Sequence, residues 1–285
     1  MDKGDNNLKI AIIGAGTMGN GIAQVFATGG YEVVLVDVQE NALANARAMI
    51  ERSLQKLAKK ISEVDVEGSL QRIHFTTDKT TVQNADLVIE AIIENVQEKQ
   101  LLFKELDALC EDKTILASNT SSLTISDFAA VTKRPDRVCG MHFFNPVPIM
   151  ELVELSATSE TSEQTMSKVE QLVMSIQKKT VRVADKPLFI VNRLLVPLVS
   201  EAILLLEEGT ATVEDIDKSM QLGAHHPIGP LWMADMIGLD TMLNIQKALY
   251  EKTRDAKYKV PTLLTTMVEA GELGRKTGKG FYTYE

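Results

Sequence analysis

The sequence predicts an α/β protein in which a doubly wound, mostly parallel sheet is followed by an all-helical domain. Three observations carry this. Short apolar runs alternate with helical patterns through the first two thirds of the chain, a glycine-rich turn joins the first run to the first helical pattern, and beyond about residue 187 only helical patterns remain.

Strands covered on both faces read as near-continuous Val, Ile and Leu runs rather than as an alternation. Such runs fall at 9–13, 32–36, 87–89, 114–117, 138–144 and 152–155, with 180–183 as a further candidate. Helical spacing appears between them at 18–28, 41–60, 97–110 and 162–177. Alternating strand and helix place helices on both faces of one sheet. Residues 188–208 then read as one long helix ending at Gly209. Pro197 inside it predicts a kink or a break, because the ring removes a donor and crowds the preceding turn. Thr212, with Asp215 three residues on, opens another helix that Gly223 ends. Further helical patterns cover 231–250 and 261–270. The expected domains are therefore 1–185 and 186–285.

The 285 residues suit two domains, and 45% hydrophobic with 24% charged residues is the balance of an ordinary globular protein. The formal net charge of −9 argues against a protein that coats nucleic acid. It leaves room for an anionic small ligand, which responds to local dipoles and nearby lysines. Two cysteines, Cys110 and Cys139, are too few for a disulfide framework and read as buried thiols in a reducing compartment. The longest apolar stretch, 188–206, carries Asn192, Arg193, Ser200 and Glu201, so it reads as a buried helix rather than a membrane span. The opening MDKGDNNLKI has no apolar leader, and the expectation is a cytoplasmic protein with no membrane and no metal.

KIAIIGAGTMGNGIA contains Gly14-x-Gly16-x-x-Gly19 between an apolar run and a helical pattern. Gly14 permits the tight turn, Gly16 lets the backbone approach a pyrophosphate, and Gly19 lets the helix pack on the sheet. Thr17 and Met18 open that helix, whose N–H groups and positive dipole end face the phosphates. The second run ends at Asp37, 18 residues after Gly19. An acid there accepts from the adenosine ribose hydroxyls and repels a 2′-phosphate, so the expected cofactor is NAD and the first domain is of Rossmann type.

A nicotinamide cofactor supplies hydride chemistry, and the protein must supply a proton acceptor. There are four histidines: His74, His142, His225 and His226. His142 lies in GMHFFNPVPIMELVEL at the end of a predicted strand, where ligands of doubly wound sheets collect. Glu151 and Glu154 follow on a strand that could pair beside it, either one able to orient the imidazole. Standing three apart, they point to opposite faces, and periodicity leaves the choice open.

HFFNPVPIMELVE, SNTSSLTI, FIVNRLL, HPIGPLWMADMIGLD and GRKTGKGFY together resemble the L-3-hydroxyacyl-CoA dehydrogenases, in the family's order and from about residue 10 to 284. The likeness is strongest to the stand-alone bacterial 3-hydroxybutyryl-CoA dehydrogenases. It implies that His142 is the catalytic base, with Glu154 rather than Glu151 as its partner. Ser121 then contacts the substrate hydroxyl close to the cofactor, and Asn192 the substrate's reacting end, which puts the active site between the domains. It also implies cofactor contacts by Glu94 and Lys99 in AIIENVQEK, by Asn145 in HFFNP and by Lys276 in RKTGKG. In the family a serine and a lysine seven apart, on the helix after the second strand, contact coenzyme A, and Ser53 and Lys60 have that spacing.

The helical pattern 41–60 itself shows an apolar row at Ile50, Leu54, Leu57, Ala58 and Ile61, with Ser53, Lys56 and Lys60 on a neighbouring row. Departures from the family pattern are the bulk of Trp232 and a stretch 61–73 shorter than in the animal enzymes. The resemblance implies an acyl-CoA substrate and a homodimer, or a dimer-based oligomer, paired through the helical domain. Two rival readings are a hydroxyisobutyrate-type dehydrogenase acting on free acids and a non-catalytic nucleotide-binding protein. The first would call for a catalytic lysine in place of the histidine, and the second would have lost the His–Glu pair.

Overall fold

A computed structural model of the chain describes residues 8–61 and 64–284. The chain divides between Phe189 and Ile190 into two compact units.

The first unit runs β1 (Lys9–Ile13), α1 (Thr17–Thr28), β2 (Glu32–Val36), α2 (Glu40–Ala58), α3 (Val66–Gln71), β3 (Ile73–Thr76), β4 (Leu87–Glu90), α4 (Val96–Leu109), β5 (Ile115–Ser118), α5 (Ser126–Ala129), β6 (Val138–Phe143), β7 (Leu152–Ala157), α6 (Glu163–Ser175) and β8 (Lys179–Ala184). These strands form one sheet in the order β3-β2-β1-β4-β5-β6-β7-β8. Neighbours pair in parallel except β6 with β7, so β7 and β8 run against the other six.

The sheet's two faces make two cores, as strand alternation requires. Ile10, Ile12 and Leu35 face Ile22 and Phe26 of α1, Ile50 and Leu54 of α2, and Val169 of α6. Ala11, Ile13, Val34 and Val36 face Leu102, Phe103 and Leu106 of α4 and Phe128 of α5. Phe103 and Phe128 stack with centroids 5.2 Å apart. β1, β4 and β5 are buried along almost their whole length, which is why they read as unbroken apolar runs.

Strand β3 did not stand out in the sequence. Its IHFT is short and lies at the sheet edge, with His74 exposed, so no apolar run marks it. Helix α2 ends at Ala58 rather than 60: Ile50 and Leu54 of its apolar row are buried, whereas Ile61 is exposed. The predicted stretch 61–73 includes residues 62 and 63, which lie outside the described residues.

The second unit contains α7 (Val191–Glu207), α8 (Val213–Gly223), α9 (Pro230–Ile237), α10 (Leu239–Thr253) and α11 (Thr262–Glu269). The expected start at 188 is corrected: Leu188 and Phe189 have φ of 64° and 50°, left-handed values that a right-handed helix excludes. Pro197 does not break α7, which is continuous and buries Val196, Val199, Ala202 and Ile203. Packing along that face outweighs the missing backbone bond. The single pattern 231–250 is two helices, divided at Gly238 with φ 99°. Thr212 caps α8 as expected, its hydroxyl accepting from Asp215 N at 3.2 Å. Two buried carboxylates tie the C-terminal GKGFYTY to this unit. Asp235 accepts from the backbone of Phe281 and Tyr282, and Asp217 from that of Leu231 and Trp232 and from the Tyr282 hydroxyl, each at 2.8–2.9 Å. Both cysteines are buried and free; burial pushes the Cys110 thiol up to about 11 and the Cys139 thiol to about 12. Among the described residues, no helix is long and apolar enough to cross a membrane.

Candidate active site

Because β1, β2, β4, β5 and β6 are parallel, the loops that leave them all emerge at one edge of the sheet. That edge collects the sequence-predicted residues of the first unit other than Ser53 and Lys60, which lie toward and past the far end of α2.

The glycine turn follows β1. Gly14 has φ 105°, and a Cβ there would lie 2.6 Å from the Ala91 carbonyl oxygen; one on Gly19 would lie 1.7 Å from the Gly14 oxygen. Neither position admits a side chain. Around Gly16 the space is open, with no atom within 4 Å of an added Cβ, and Thr17 is exposed beside it. Helix α1 begins at Gly16 with no side-chain cap, so its first N–H groups remain for an outside acceptor. Asp37 braces this turn: its carboxylate accepts from Ala15 N at 2.8 Å and Gln39 N at 3.0 Å. An open, uncapped helix start with a carboxylate one strand away fits a dinucleotide.

Next come the loops after β4 and β5. Glu94 Oε1 accepts from Thr120 Oγ1 at 2.5 Å, Ser121 N at 3.1 Å, Ser122 N at 3.1 Å and Ser122 Oγ at 3.0 Å. Burial pushes the Glu94 carboxyl up, but Lys99 and the Thr120 and Ser122 hydroxyls outweigh it and hold the group below its ordinary value. Lys99 corrects its sequence reading. It is 1% exposed, and its ammonium lies 2.5 Å from Glu90 and 3.2 Å from Glu94. That amine is spent on two carboxylates rather than offered to a phosphate.

His142 and Glu154 are register partners on antiparallel β6 and β7. Directly opposed residues share a face, and His142 Nδ1 lies 2.8 Å from Glu154 Oε2. His142 is 5% exposed and Glu154 1%. The imidazole sits against the rings of Phe144, at 4.4 Å, and Phe189, at 5.6 Å. Among the described residues nothing bonds its Nε2. Glu151, the other carboxylate of the pattern, is exposed and pairs with Lys179 at 2.6 Å. Phe143 N donates to Asn119 Oδ1 at 2.9 Å, tying the end of the histidine strand to the loop that carries Ser121.

Asn145 follows on the exposed loop after β6. A buried amine, Lys178, grips that loop by donating to the Val147 and Met150 carbonyls at 2.7 Å, and burial pushes its pKa down. Ser53 is half-buried on α2, with Lys60 exposed two residues past the helix end. Asn192 is the second residue of α7, in the second unit. There Lys276 is held by both oxygens of Asp240, at 2.5 and 2.6 Å. Beyond the serine loop, Asp185 accepts from Ile125 N at 2.7 Å and Ser126 N at 2.8 Å at the start of α5.

The sequence reading passed over Glu90, Ser118, Asn119 and Lys178. Each of the first three is a polar residue at or just after the C-terminal end of a buried strand, and that position was the available signal.

Comparison with known proteins decides the family. Residues 9–186 match the 3-hydroxyacyl-CoA dehydrogenase NAD binding domain, and residues 189–284 match the C-terminal domain of the same family. The chain belongs to the 3-hydroxyacyl-CoA dehydrogenase family. It is 46% identical over 279 residues to a 3-hydroxybutyryl-CoA dehydrogenase of Clostridioides difficile, covering 97% of this chain and 99% of that one. It is 45% identical to the mitochondrial hydroxyacyl-coenzyme A dehydrogenase of Homo sapiens, covering 97% and 91%. A crystal structure of (S)-3-hydroxybutyryl-CoA dehydrogenase from Ralstonia eutropha superposes with a TM-score of 0.93 at 47% identity, covering 97% and 99%. The 3-hydroxyacyl-CoA dehydrogenase pattern thus accounts for both units, from the glycine turn to the C-terminal GKGFYTY.

Proposed function

We propose that this chain is an NAD-dependent dehydrogenase interconverting a short-chain (3S)-3-hydroxyacyl-CoA, 3-hydroxybutyryl-CoA above all, and the corresponding 3-oxoacyl-CoA, with His142 as general acid and base. One observation carries the reading: at the sheet edge of the glycine turn, an imidazole is bonded through Nδ1 to a buried carboxylate and keeps Nε2 open.

Bound NAD, along the Gly14–Gly19 turn with its ribose toward Asp37, supplies the hydride acceptor. His142 Nε2 takes the proton of the substrate 3-hydroxyl as the alcohol is oxidised, and returns it to the ketone oxygen in the reverse direction. Glu154 fixes the ring so that Nδ1 keeps its proton and Nε2 is the accepting atom, and it faces the charge when both nitrogens are protonated. Phe144 and Phe189 exclude water from the ring's flanks. Ser121 holds the substrate oxygen from the loop that Glu94 ties down, and Asn192, near the start of α7, is the residue proposed to hydrogen-bond the substrate's reacting end. Glu94 and Asn145 act on the cofactor side, together with Lys276, whose ammonium Asp240 engages. Ser53 and Lys60 meet the coenzyme A phosphates.

The names of the relatives favour a CoA thioester over a free acid, and the retained His–Glu pair favours an enzyme over a non-catalytic binder. The same reading places the protein in the cytoplasm as a homodimer or dimer-based oligomer, pairing through the helical unit. The 68% exposure of Leu194 on α7 supports that surface.

Absorbance at 340 nm with NADH and acetoacetyl-CoA tests the proposal directly. NADH oxidation is expected with the thioester and not with free acetoacetate; the opposite preference would end the acyl-CoA reading. His142→Gln is expected to lower kcat by about 10²–10⁴-fold while NADH still binds. A variant of near-normal rate would remove His142 from the role of base.

A further inference from the structure

We propose that Glu90, a residue outside the His142 chemistry, is the positioning residue of the cofactor edge, holding Glu94 and the Ser121–Ser122 loop in place through Lys99 and Ser118. The proposal rests on the reading of Glu94 as a cofactor-side residue.

Glu90 ends β4 and has no exposed surface. Its carboxylate accepts hydrogen bonds from three directions: Lys99 Nζ at 2.5 Å and Ile92 N at 2.7 Å on Oε1, and Ser118 Oγ at 2.6 Å on Oε2. Two of these lead outward and meet again at Glu94. Along one branch, Lys99 Nζ lies 3.2 Å from Glu94 Oε2. Along the other, Ser118 Oγ accepts from Thr120 N at 3.2 Å, and Thr120 Oγ1 donates to Glu94 Oε1 at 2.5 Å. The result is a closed ring of bonds joining the loop after β4 to the loop after β5, with Glu90 at its buried root and Glu94 at its open rim.

The third bond reaches the glycine turn. Ile13 of β1 and Glu90 of β4 are register partners, and Ala91 N donates to Ile13 O at 2.8 Å. The Ala91 carbonyl oxygen is the atom closest to a Cβ built on Gly14, and Ile92 N, held by Glu90, lies 3.1 Å from the same point. One carboxylate therefore fixes the wall behind the turn, the acid at the rim and the serine loop beside it.

Stability alone does not explain this arrangement. A buried ion pair is weak support for a fold, because its desolvation offsets its attraction and an apolar pair of similar volume does as well. What two carboxylate oxygens aimed at different loops provide is direction. Removing Glu90 leaves the buried Lys99 ammonium with the rim carboxylate of Glu94 alone, and removing Lys99 leaves Glu90 buried without its cation, whereas removing both relieves that penalty without restoring the direction.

That difference makes the test. Glu90→Gln, Lys99→Met, their double variant, Ser118→Ala and Glu94→Gln are compared by thermal midpoint and by KM for NADH and kcat with acetoacetyl-CoA. Glu90→Gln is expected to lower the midpoint and to raise KM for NADH about tenfold, with a smaller fall in kcat. In the double variant the midpoint should return toward the parent value while KM for NADH stays raised. Ser118→Ala, which leaves the ion pair intact, should raise KM for NADH about threefold and kcat should change by less. If the double variant recovers midpoint and KM together, Glu90 is only a fold element and the proposal is overturned; unchanged KM in Ser118→Ala with a lowered midpoint overturns it equally. Glu94→Gln separates the two failures. A raised KM there with none in Glu90→Gln sinks Glu90 alone, and an unchanged KM in Glu94→Gln sinks the underlying reading of the rim.

Discussion

The sheet edge carries two clusters of ionisable side chains built in different ways. His142 and Glu154 come from paired strands, and the backbone ladder that makes them register partners also sets their 2.8 Å contact. Glu90, Lys99 and Glu94 come from a strand end, a helix and a loop, and side chains there hold other side chains. A strand-built pair should tolerate loss of one group without moving its neighbours. A loop-built cluster should transmit any loss to whatever it positions. Variants of the first are therefore expected to change kcat, and variants of the second to change cofactor affinity.

Glu154→Gln presses hardest on this contrast. It keeps the shape behind His142 and removes the charge, and is expected to lower kcat about 10²-fold with KM for NADH within about twofold. A large rise in KM for NADH would mean that the strand pair, too, is a positioning device.

Gly19→Ala attacks the common frame. The new Cβ would meet the Gly14 backbone oxygen at 1.7 Å, where neither atom can yield. We expect loss of about 2 kcal/mol or more of stability together with weakened NADH binding, read by denaturant unfolding and fluorescence titration. An unchanged unfolding midpoint would show that the turn can open.

Acid sharpens the loop side. The Glu94 carboxyl lies below its ordinary value of 4.5, since Lys99 and the Thr120 and Ser122 hydroxyls outweigh the opposing effect of burial. A depressed folded value means that the group's contribution to stability is complete above the ordinary value and lost as pH falls through the depressed one. The thermal midpoint should therefore drop on acidification below about pH 4.5, and drop less in Glu94→Gln. Equal slopes in both proteins would remove Glu94 from the acid response.

Glu151→Gln should do least. Glu151 lies on the loop side of β7 and pairs with Lys179 in the open, so neither kcat nor the midpoint should move measurably. A clear kinetic effect would reopen the choice between the two carboxylates.

The two clusters also differed in how far they could be read beforehand. His142 stood out because histidines are few and this one closes a predicted strand, and Glu154 stood out with Glu151. Spacing could not choose between them, because the choice depends on which residue of β7 lies opposite His142, and register is a property of two strands rather than of one. The loop cluster was half visible: Glu94 and Lys99 came from the family resemblance, and Glu90 was hidden as the last letter of LVIE. The resemblance points Lys99 toward the cofactor, and nothing in the local pattern of a lysine near a helix start says otherwise. Only its buried neighbours reveal that the amine faces inward.

The alternation of the main strands and helices, the glycine turn with Asp37, and the family were legible in the residues themselves. Each rests on local chemistry: apolar runs long enough for a covered sheet, a position that excludes a side chain, an acid closing a strand. Tertiary structure decided the rest. It kept α7 continuous through Pro197, divided 231–250 at Gly238, put β3 at the sheet edge and closed the ring from Glu90 to Glu94. Those outcomes turn on what faces a residue across the sheet or core, and partners distant in the chain leave no mark on local periodicity.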